Sequence, residues 1–583
     1  MPVTRSCRIV ASCLLTLGLA AAARAAEPPD MGFFGVGACS ANNRSAEADA
    51  TWMPQMAAIG VTNTRCVSTD WGSVEPEEGQ WKWDKIDAQM SYMESQHFAF
   101  GGILIGKPKW DKLDQKGLPV NNLPAWSKYV FETVKHCQGR IKYWELWNEP
   151  PNGTGGDKTA PEYAKLAVAT YDAAKRADPN AMVGLAAKSV FVNYIDQAIK
   201  AGARGHFDYI TLHPYEAAGI PLAHPGMEQV YLRIVPAVRK MLAAQDPSKV
   251  HCPIIFTELG AAADGKYATK IPGFTPPEGM AHAVVKFYVM GLAQGVTSID
   301  WFEGKDSPAE NFYFLGLLDV KGTPRPGYTA MAQLIKYLSP RPTYLGWVLL
   351  NDKHYGFVFQ GAKGPVLATW AATWEPDTID FGQPVKIVDP LTGNVTEAAS
   401  HKLTLAPILV DGVPDALVQK ARDNKNKPLP WGGDYSQAKS VSVTYGQKNV
   451  EKGLHTMSAE SVAENVVAFG GGARVGNVPG GTTFMIDPNF LLYDTVPVEV
   501  AAVVRRNPAA KPGAKPPTLT LSYESVSGMR NAPPCAIPEN DGWNTVKWKL
   551  DDVQFIGQYG FNFSLNHGDY LIQSMTVTRL DRP

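Results

Sequence analysis

Short apolar, β-branched runs alternate with longer amphipathic stretches across the first 340 residues. Eight runs read as strands: GFFGVGA (32–38), VTNTRCV (61–67), FAFGGILIG (98–106), KYWELWNE (142–149), AMVGLAAKS (181–189), FDYITLHPY (207–215), PIIFTELG (253–260) and TSIDWFEGK (297–305). Between them, segments such as WSKYVFETVKHC, PEYAKLAVATYDAAKRA and EGMAHAVVKFYVMGLAQG place apolar residues at helical spacing. Eight strand–helix units in succession predict an α/β fold, a (β/α)8 TIM barrel over residues 26–340. A doubly wound open sheet is the structural rival, but it calls for a glycine-rich phosphate turn after an early strand, and no clear one appears.

Beyond the barrel the period shortens to two. VLATWAAT, PVKIVDPLTGNV and HKLTLAPILV predict a small β-sandwich over 341–417, with LTGN as a turn. The polar, Pro/Gly-rich stretch 418–436 reads as a linker. KSVSVTYG, VEVAAVVRR, PTLTLSYES, WNTVKWKL and YLIQSMTVTRL then predict a jelly-roll-like all-β domain over 437–583. Such a domain binds carbohydrate if its aromatics are exposed. Trp431, Tyr435, Trp543, Tyr559 and Tyr570 are the candidates, and filling the core is their alternative use.

A chain of 583 residues exceeds a single core, in keeping with several domains. A net charge of −1 gives no reason to expect a nucleic-acid partner. The 15 Trp, 22 Tyr and 22 Phe suit large cores or sugar-stacking surfaces. At the N-terminus, Arg5 and Arg8 precede an apolar run that ends in small residues at Ala23 and Ala25. This predicts a signal peptide over 1–25 and a secreted or periplasmic protein. VASC (10–13) loosely matches a lipoprotein cleavage box, but most of the apolar run follows Cys13. No later segment reads as transmembrane. Cys39 and Cys66 end the first two predicted strands, where they pair or remain buried thiols. The scattered cysteines form no zinc site, so no metal or cofactor is implied.

Chemistry in such a barrel gathers at the C-terminal strand ends. Those ends carry Arg65, Asn148, Glu149, His213, Tyr215, Glu258, Trp301 and Glu303. In WELWNEP, Pro150 cannot donate to a ladder, so Glu149 is predicted at the last position of strand four. Glu258 ends strand seven, across the mouth. Two such carboxylates flank one glycosidic bond at ~5–5.5 Å for retention, or at roughly 6.5–9.5 Å for inversion. Glu145 reads as an interior polar residue and Glu216 as solvated, while Asp300 and Asp306 have no assigned role.

WNEP after strand four and TELG after strand seven resemble glycoside hydrolase clan A, the retaining barrel glycosidases. So do HPY after strand six, DWFEGKD at strand eight, GLLDVKGTPRPGYTAMAQL (316–334) and DWGSVEPEEGQWKWDKID (70–87). The resemblance covers about residues 32–340 and leans to family 39, because β domains follow the barrel. It implies Glu149 as acid/base, its carboxyl raised by burial near Trp147 and by Glu258, and Glu258 as nucleophile. It further implies Tyr215 and Arg65 as partners of Glu258, Asn148 on the sugar 2-OH, Trp301 as a stacking floor and His213 as an orienting group. Glu303 is a further substrate contact or a supporting residue. The expected substrate is an oligosaccharide or polysaccharide. A non-catalytic carbohydrate-binding barrel and a structural surface-layer protein are the competing readings; the intact carboxylate pair and Asn148 favour the enzyme.

Overall fold

The computed structural model describes residues 30–37, 45–112, 117–307, 313–338, 342–349, 354–446, 449–457, 465–468, 471–508 and 517–582. The expected signal peptide and Cys39 lie outside these residues, as does the side chain of Cys66, so the proposed cysteine pairing does too. No described helix is long and apolar enough to cross a membrane.

Eight parallel strands close into a barrel in chain order. They are β1 (Phe34–Val36), β2 (Asn63–Val67), β3 (Ala99–Leu104), β4 (Tyr143–Leu146), β5 (Met182–Lys188), β6 (Tyr209–His213), β7 (Ile254–Leu259) and β8 (Ser298–Trp301). Each lies within a run the pattern predicts and is shorter than that run. Helices cover the outside, so strands such as β5 are apolar on both faces. The helix Pro276–Gln294 shows the local logic. Thr275 and Glu278 form a capping box, proline occupies the first turn, and Gly295 ends the helix at φ +88°.

The barrel interior changes character along its axis. Met31, Tyr143, Tyr209 and Ile255 plug one end. Above this plug the interior is polar, with Asn63, Arg65, Glu145, Thr211, Thr257, Ser298 and Asp300 all buried. Asn63 Nδ2 donates to Asp300 Oδ1 at 2.9 Å and to Ser298 Oγ at 3.1 Å. Gly35 leaves room for this contact: a Cβ there would lie 1.7 Å from Asp300 Oδ1 and 2.2 Å from Asn63 Nδ2.

Two strands depart from regular pairing. In β2 the register shifts between Thr64 and Val67, and in β7 between Phe256 and Leu259. Each interval holds one residue more than its partner strand, which is a β-bulge. Arg65 lies in the first bulge, Thr257 and Glu258 in the second.

The next region is one six-stranded antiparallel sheet in the order β13-β12-β14-β11-β10-β9. Its strands are β9 (Thr343–Val348), β10 (His354–Gly361), β11 (Gly364–Ala371), β12 (Asp377–Val388), β13 (Val395–Leu403) and β14 (Ile408–Asp411). Phe357, Phe359 and Trp370 pack into the barrel's own core. Val358, Leu367 and Val410 cluster with Val418 and Ala421. Those last two residues belong to a helix, Asp415–Asn424, in the stretch read as the start of a linker. Its buried contacts are few, which is why a polar composition concealed it.

The C-terminal region places a seven-stranded and a five-stranded antiparallel sheet around a common core. It is docked on the barrel rather than merely tethered. Tyr493 Oη donates to buried Asp196 at 2.8 Å, Asn193 Nδ2 to Gln554 Oε1 at 3.0 Å, and Arg233 Nη2 to the Gly557 carbonyl at 2.9 Å. Of the candidate aromatics, Tyr570 and Trp431 are buried, Tyr435 and Trp543 half-buried, and Tyr559 is exposed.

Gly35→Ala should therefore lower stability by about 1–3 kcal/mol, the range for overpacking a core. Chemical denaturation would check this, and an unchanged midpoint would mean that the Asn63–Asp300 pair yields freely.

Candidate active site

The site is built from β2, β4, β6 and β7. Arg65 Nε and Nη2 donate to the two oxygens of Glu145, each at 2.9 Å, a buried fork-to-carboxylate pair. Nη2 also donates to Asn148 Oδ1 at 2.7 Å, and Nη1 donates to Glu258. One guanidinium thus orients three groups, on β4, on the segment after it and on β7. Tyr215 Oη donates to the other oxygen of Glu258 at 3.3 Å. Tyr215 is the first residue of the helix Tyr215–Ala223, just beyond β6.

His213, buried at the end of β6, sits between the acids. Nδ1 is 2.9 Å from Glu149 Oε1 and 3.5 Å from Glu258 Oε2. Nε2 is 3.0 Å from Thr257 Oγ1 and 3.6 Å from Glu145 Oε1. One oxygen each of Glu149 and Glu258, and one nitrogen of His213, all lie within 4.8 Å of one another. Such a trio could face a cation; the Arg65 guanidinium already occupies one oxygen of Glu258.

Glu149 differs from the sequence expectation in two respects. It does not end a strand: β4 stops at Leu146, and Trp147 adds one further ladder bond, N to Leu104 O at 3.0 Å. Trp147 and Glu149 then adopt φ of +67° and +50°. This left-handed backbone costs a non-glycine residue roughly 1–2 kcal/mol. Trp147 packing on Trp126 and the Asn152 N–H donating to the Glu149 carbonyl at 2.7 Å help to hold it. Secondly, its carboxyl lies below the usual value rather than above it. Burial pushes it up, but the hydrogen bond and positive charge of His213, with Asn152 and Arg65, together outweigh burial.

The other groups follow from the same balance. Burial alone would strip the proton from His213, but Glu258, Glu145 and Glu149 outweigh it and raise the imidazole to about 9. Burial opposes ionisation of Glu145, yet Arg65 and His213 bring it to about 2. Asp300 goes the other way: burial lifts it to about 7 against the pull of Arg65 and Asn63.

Arg65, Asn148, Glu149, His213, Tyr215 and Glu258 are thus brought together. Trp301 is not. It is 0 % exposed, stacked near Phe287, with Nε1 donating to the Leu315 carbonyl at 2.9 Å, and so it offers no face to a sugar. Glu303 is buried on the loop after β8, whose backbone pairs with Leu315 and Leu317. Glu145 lies in the interior, while Asp306 accepts from Arg325 at 2.5 Å and from Gly316 N at 2.8 Å, stapling that loop. Sequence reading passed over Thr257 and Thr211, whose hydroxyls are 2.5 Å apart beneath His213. Both lie beside named residues, but strict alternation puts Thr257 and Glu258 on opposite faces, and only the bulge turns both inward.

No family model and no curated protein match this sequence. Among solved structures, a family 39 glycoside hydrolase from the gut symbiont Bacteroides cellulosilyticus WH2 superimposes with a TM-score of 0.52. It is 17% identical and the match covers 66% of this chain and 82% of that one. A conserved exported protein from Bacteroides fragilis gives 0.48 at 11% identity, over 66% and 98% of the two chains. A GH30 endoxylanase from Clostridium papyrosolvens C71 gives 0.45 at 14% identity, over 66% and 97%. The family 39 match is a likeness of fold.

His213 gives a linkage test. Its folded value of about 9 exceeds the ordinary 6.5, so its contribution is complete below pH 6.5 and is lost as pH rises to about 9. That shift corresponds to stability on the order of 3 kcal/mol. Urea denaturation should show the decline in the wild type and a flatter profile in His213→Gln; equal slopes would assign it to other groups.

Proposed function

We propose that the protein is an exported retaining β-glycosidase that cleaves oligosaccharides or polysaccharides by double displacement. Glu258 is the nucleophile and Glu149 the acid/base. The observation that carries this is the approach of the two carboxylates: an oxygen of each lies within 4.8 Å of the other across the barrel mouth. One oxygen pair that close favours the ~5–5.5 Å carboxyl separation of retaining enzymes over the roughly 6.5–9.5 Å that an intervening water requires. The N-terminal charge and apolar pattern supports export.

In the first step Glu258 attacks the anomeric carbon. Arg65 and Tyr215 each hold one of its oxygens and fix the line of attack. Glu149 protonates the departing oxygen, and the glycosyl ester forms on Glu258. Glu149 then takes a proton from water, which attacks the same carbon and releases Glu258. Asn148, its Oδ1 held by Arg65, turns its amide N–H groups toward the sugar 2-OH.

Glu149 must carry a proton when the leaving group departs. In the free protein His213 holds it low. Substrate excludes water from the exposed edge of Glu149 and strengthens the effect of burial, which raises it. kcat/KM reports the free protein. For poor leaving groups it should therefore fall as pH rises through the depressed value of Glu149. His213→Gln removes the cation and should move this alkaline limb to higher pH. An unmoved limb would mean that another group sets it.

Azide separates the two roles. Glu258→Ala should abolish turnover of every glycoside, and azide should enter the vacated face and give the α-glycosyl azide. Glu149→Ala should lose on the order of 10²–10⁴ in rate on poor leaving groups, the usual contribution of an acid/base group. With an activated aryl β-glycoside, azide should restore its turnover and give the β-azide. The same configuration from both variants would make the assignment of the two roles wrong.

A further inference from the structure

A groove of about 480 Å3 runs between the helix Tyr215–Ala223 and the C-terminal sandwich. Glu216, Ile220 and His224 line one side; Thr483, Tyr559 and Phe561 line the other. Tyr215, the residue before the first of these, donates to Glu258. The groove and the group that holds Glu258 therefore share one helix.

Its far wall is made by another domain and held by a dense set of hydrogen bonds. The buried Glu524 accepts from the backbone N–H groups of Ile556 at 2.8 Å, Gly557 at 2.6 Å and Gln558 at 2.7 Å, and from Asn562 Nδ2 at 2.9 Å. From the barrel side, Arg233 Nη2 clamps the Gly557 carbonyl at 2.9 Å. The loop so fixed presents Tyr559 over the barrel's C-terminal face. The Tyr559 ring lies edge-on to Phe191, beyond β5, with centroids 5.0 Å apart. Its hydroxyl donates to Asp157, beyond β4, at 3.3 Å. It nevertheless remains 38% exposed, and Phe561 stands beside it at 6.4 Å.

We propose that this groove is a sugar-binding subsite. Tyr559 and Phe561 receive the apolar C–H face of a ring, and Glu216 and Thr483 line the groove for the sugar hydroxyls. The inference rests on Glu149 and Glu258 being the cleavage centre. The chemistry fits a carbohydrate: mostly apolar walls with a few polar groups, and an exposed tyrosine beside a half-buried phenylalanine on a hydrogen-bonded loop. From Glu216 to Ala223, the end of the helix, the chain advances about 10 Å at 1.5 Å per residue. This is longer than one sugar ring, so the ligand spans more than one sugar unit. The C-terminal sandwich thus belongs to the cleft rather than acting as a detached module.

The test uses the full-length protein and oligosaccharides of two to six β-1,4-linked glucose, xylose or mannose units, beside aryl β-glycosides of the same sugars. The readout is the ratio of kcat/KM for the longest cleaved oligosaccharide to that for the aryl glycoside. Tyr559→Ala should lower this ratio roughly three- to tenfold, the size of one ring contact. Tyr559→Phe keeps the ring, should keep the ratio, and guards against a folding defect. A ratio unchanged in both Tyr559→Ala and Phe561→Ala overturns the inference while leaving the cleavage reading intact. If the wild type cleaves none of these substrates, the cleavage reading fails and calorimetric titration with the six-unit oligosaccharides decides the subsite. Loss of binding in Tyr559→Ala supports it. Undiminished binding, or none by the wild type, overturns it.

Discussion

The buried guanidinium of Arg65 is the contact on which the barrel mouth depends. It holds Glu145 with two parallel bonds and reaches Asn148 and Glu258 with the remaining donors. Breaking a buried pair by removing one partner costs about 3–5 kcal/mol, because the other charge is left unsatisfied. The arrangement therefore needs Glu145 as much as it needs Arg65. His213 supplies the second cation, and its ring is fixed from below by Thr257. Three carboxylates can share this confined space only because these two cations interleave them. The proposed catalytic geometry is thus set in the barrel interior, beneath the groups that would meet a substrate.

Much of this was legible from the chain. Parallel strands covered by helices on one side and a filled interior on the other read as continuous apolar runs, so all eight appeared. Glu258 was found because β7 ends one residue after it, at Leu259. Two of the misreadings share a cause: they concern backbone that leaves its regular period. Proline at 150 suggested a strand end at Glu149, but the chain turns left-handed two residues earlier, at Trp147. Trp301 was read as a cleft residue from its strand-end position, but the loop after β8 folds back and its Leu315 carbonyl takes the indole N–H. The depressed carboxyl of Glu149 depends on a histidine 64 positions away, which no local pattern reports.

The aromatic content has a structural explanation as well as a functional one. Trp52, Trp71, Trp126, Trp144 and Trp370 are fully buried, and their flat rings fill the spaces between layers. Trp370 also joins two domains: its Nε1 donates to the buried Glu228 of the barrel at 2.8 Å, and Lys286 lies 3.9 Å from the same carboxylate. Burial holds that carboxyl up, against Lys286. A polar group buried at such a junction costs free energy unless its partner arrives from across the boundary, so it specifies how the six-stranded sheet sits on the barrel.

The bulge in β7 makes residue count, as well as residue identity, a determinant of chemistry. The single extra residue between Phe256 and Leu259 lets neighbours in the sequence share one face, so Thr257 supports His213 while Glu258 points into the mouth. In a regular strand those two side chains would be assigned to opposite surfaces. Copying FTELG onto an unbulged strand would transplant the letters without the orientation. Shortening this strand by one residue would restore even pairing and leave one of the two groups facing the surrounding helices.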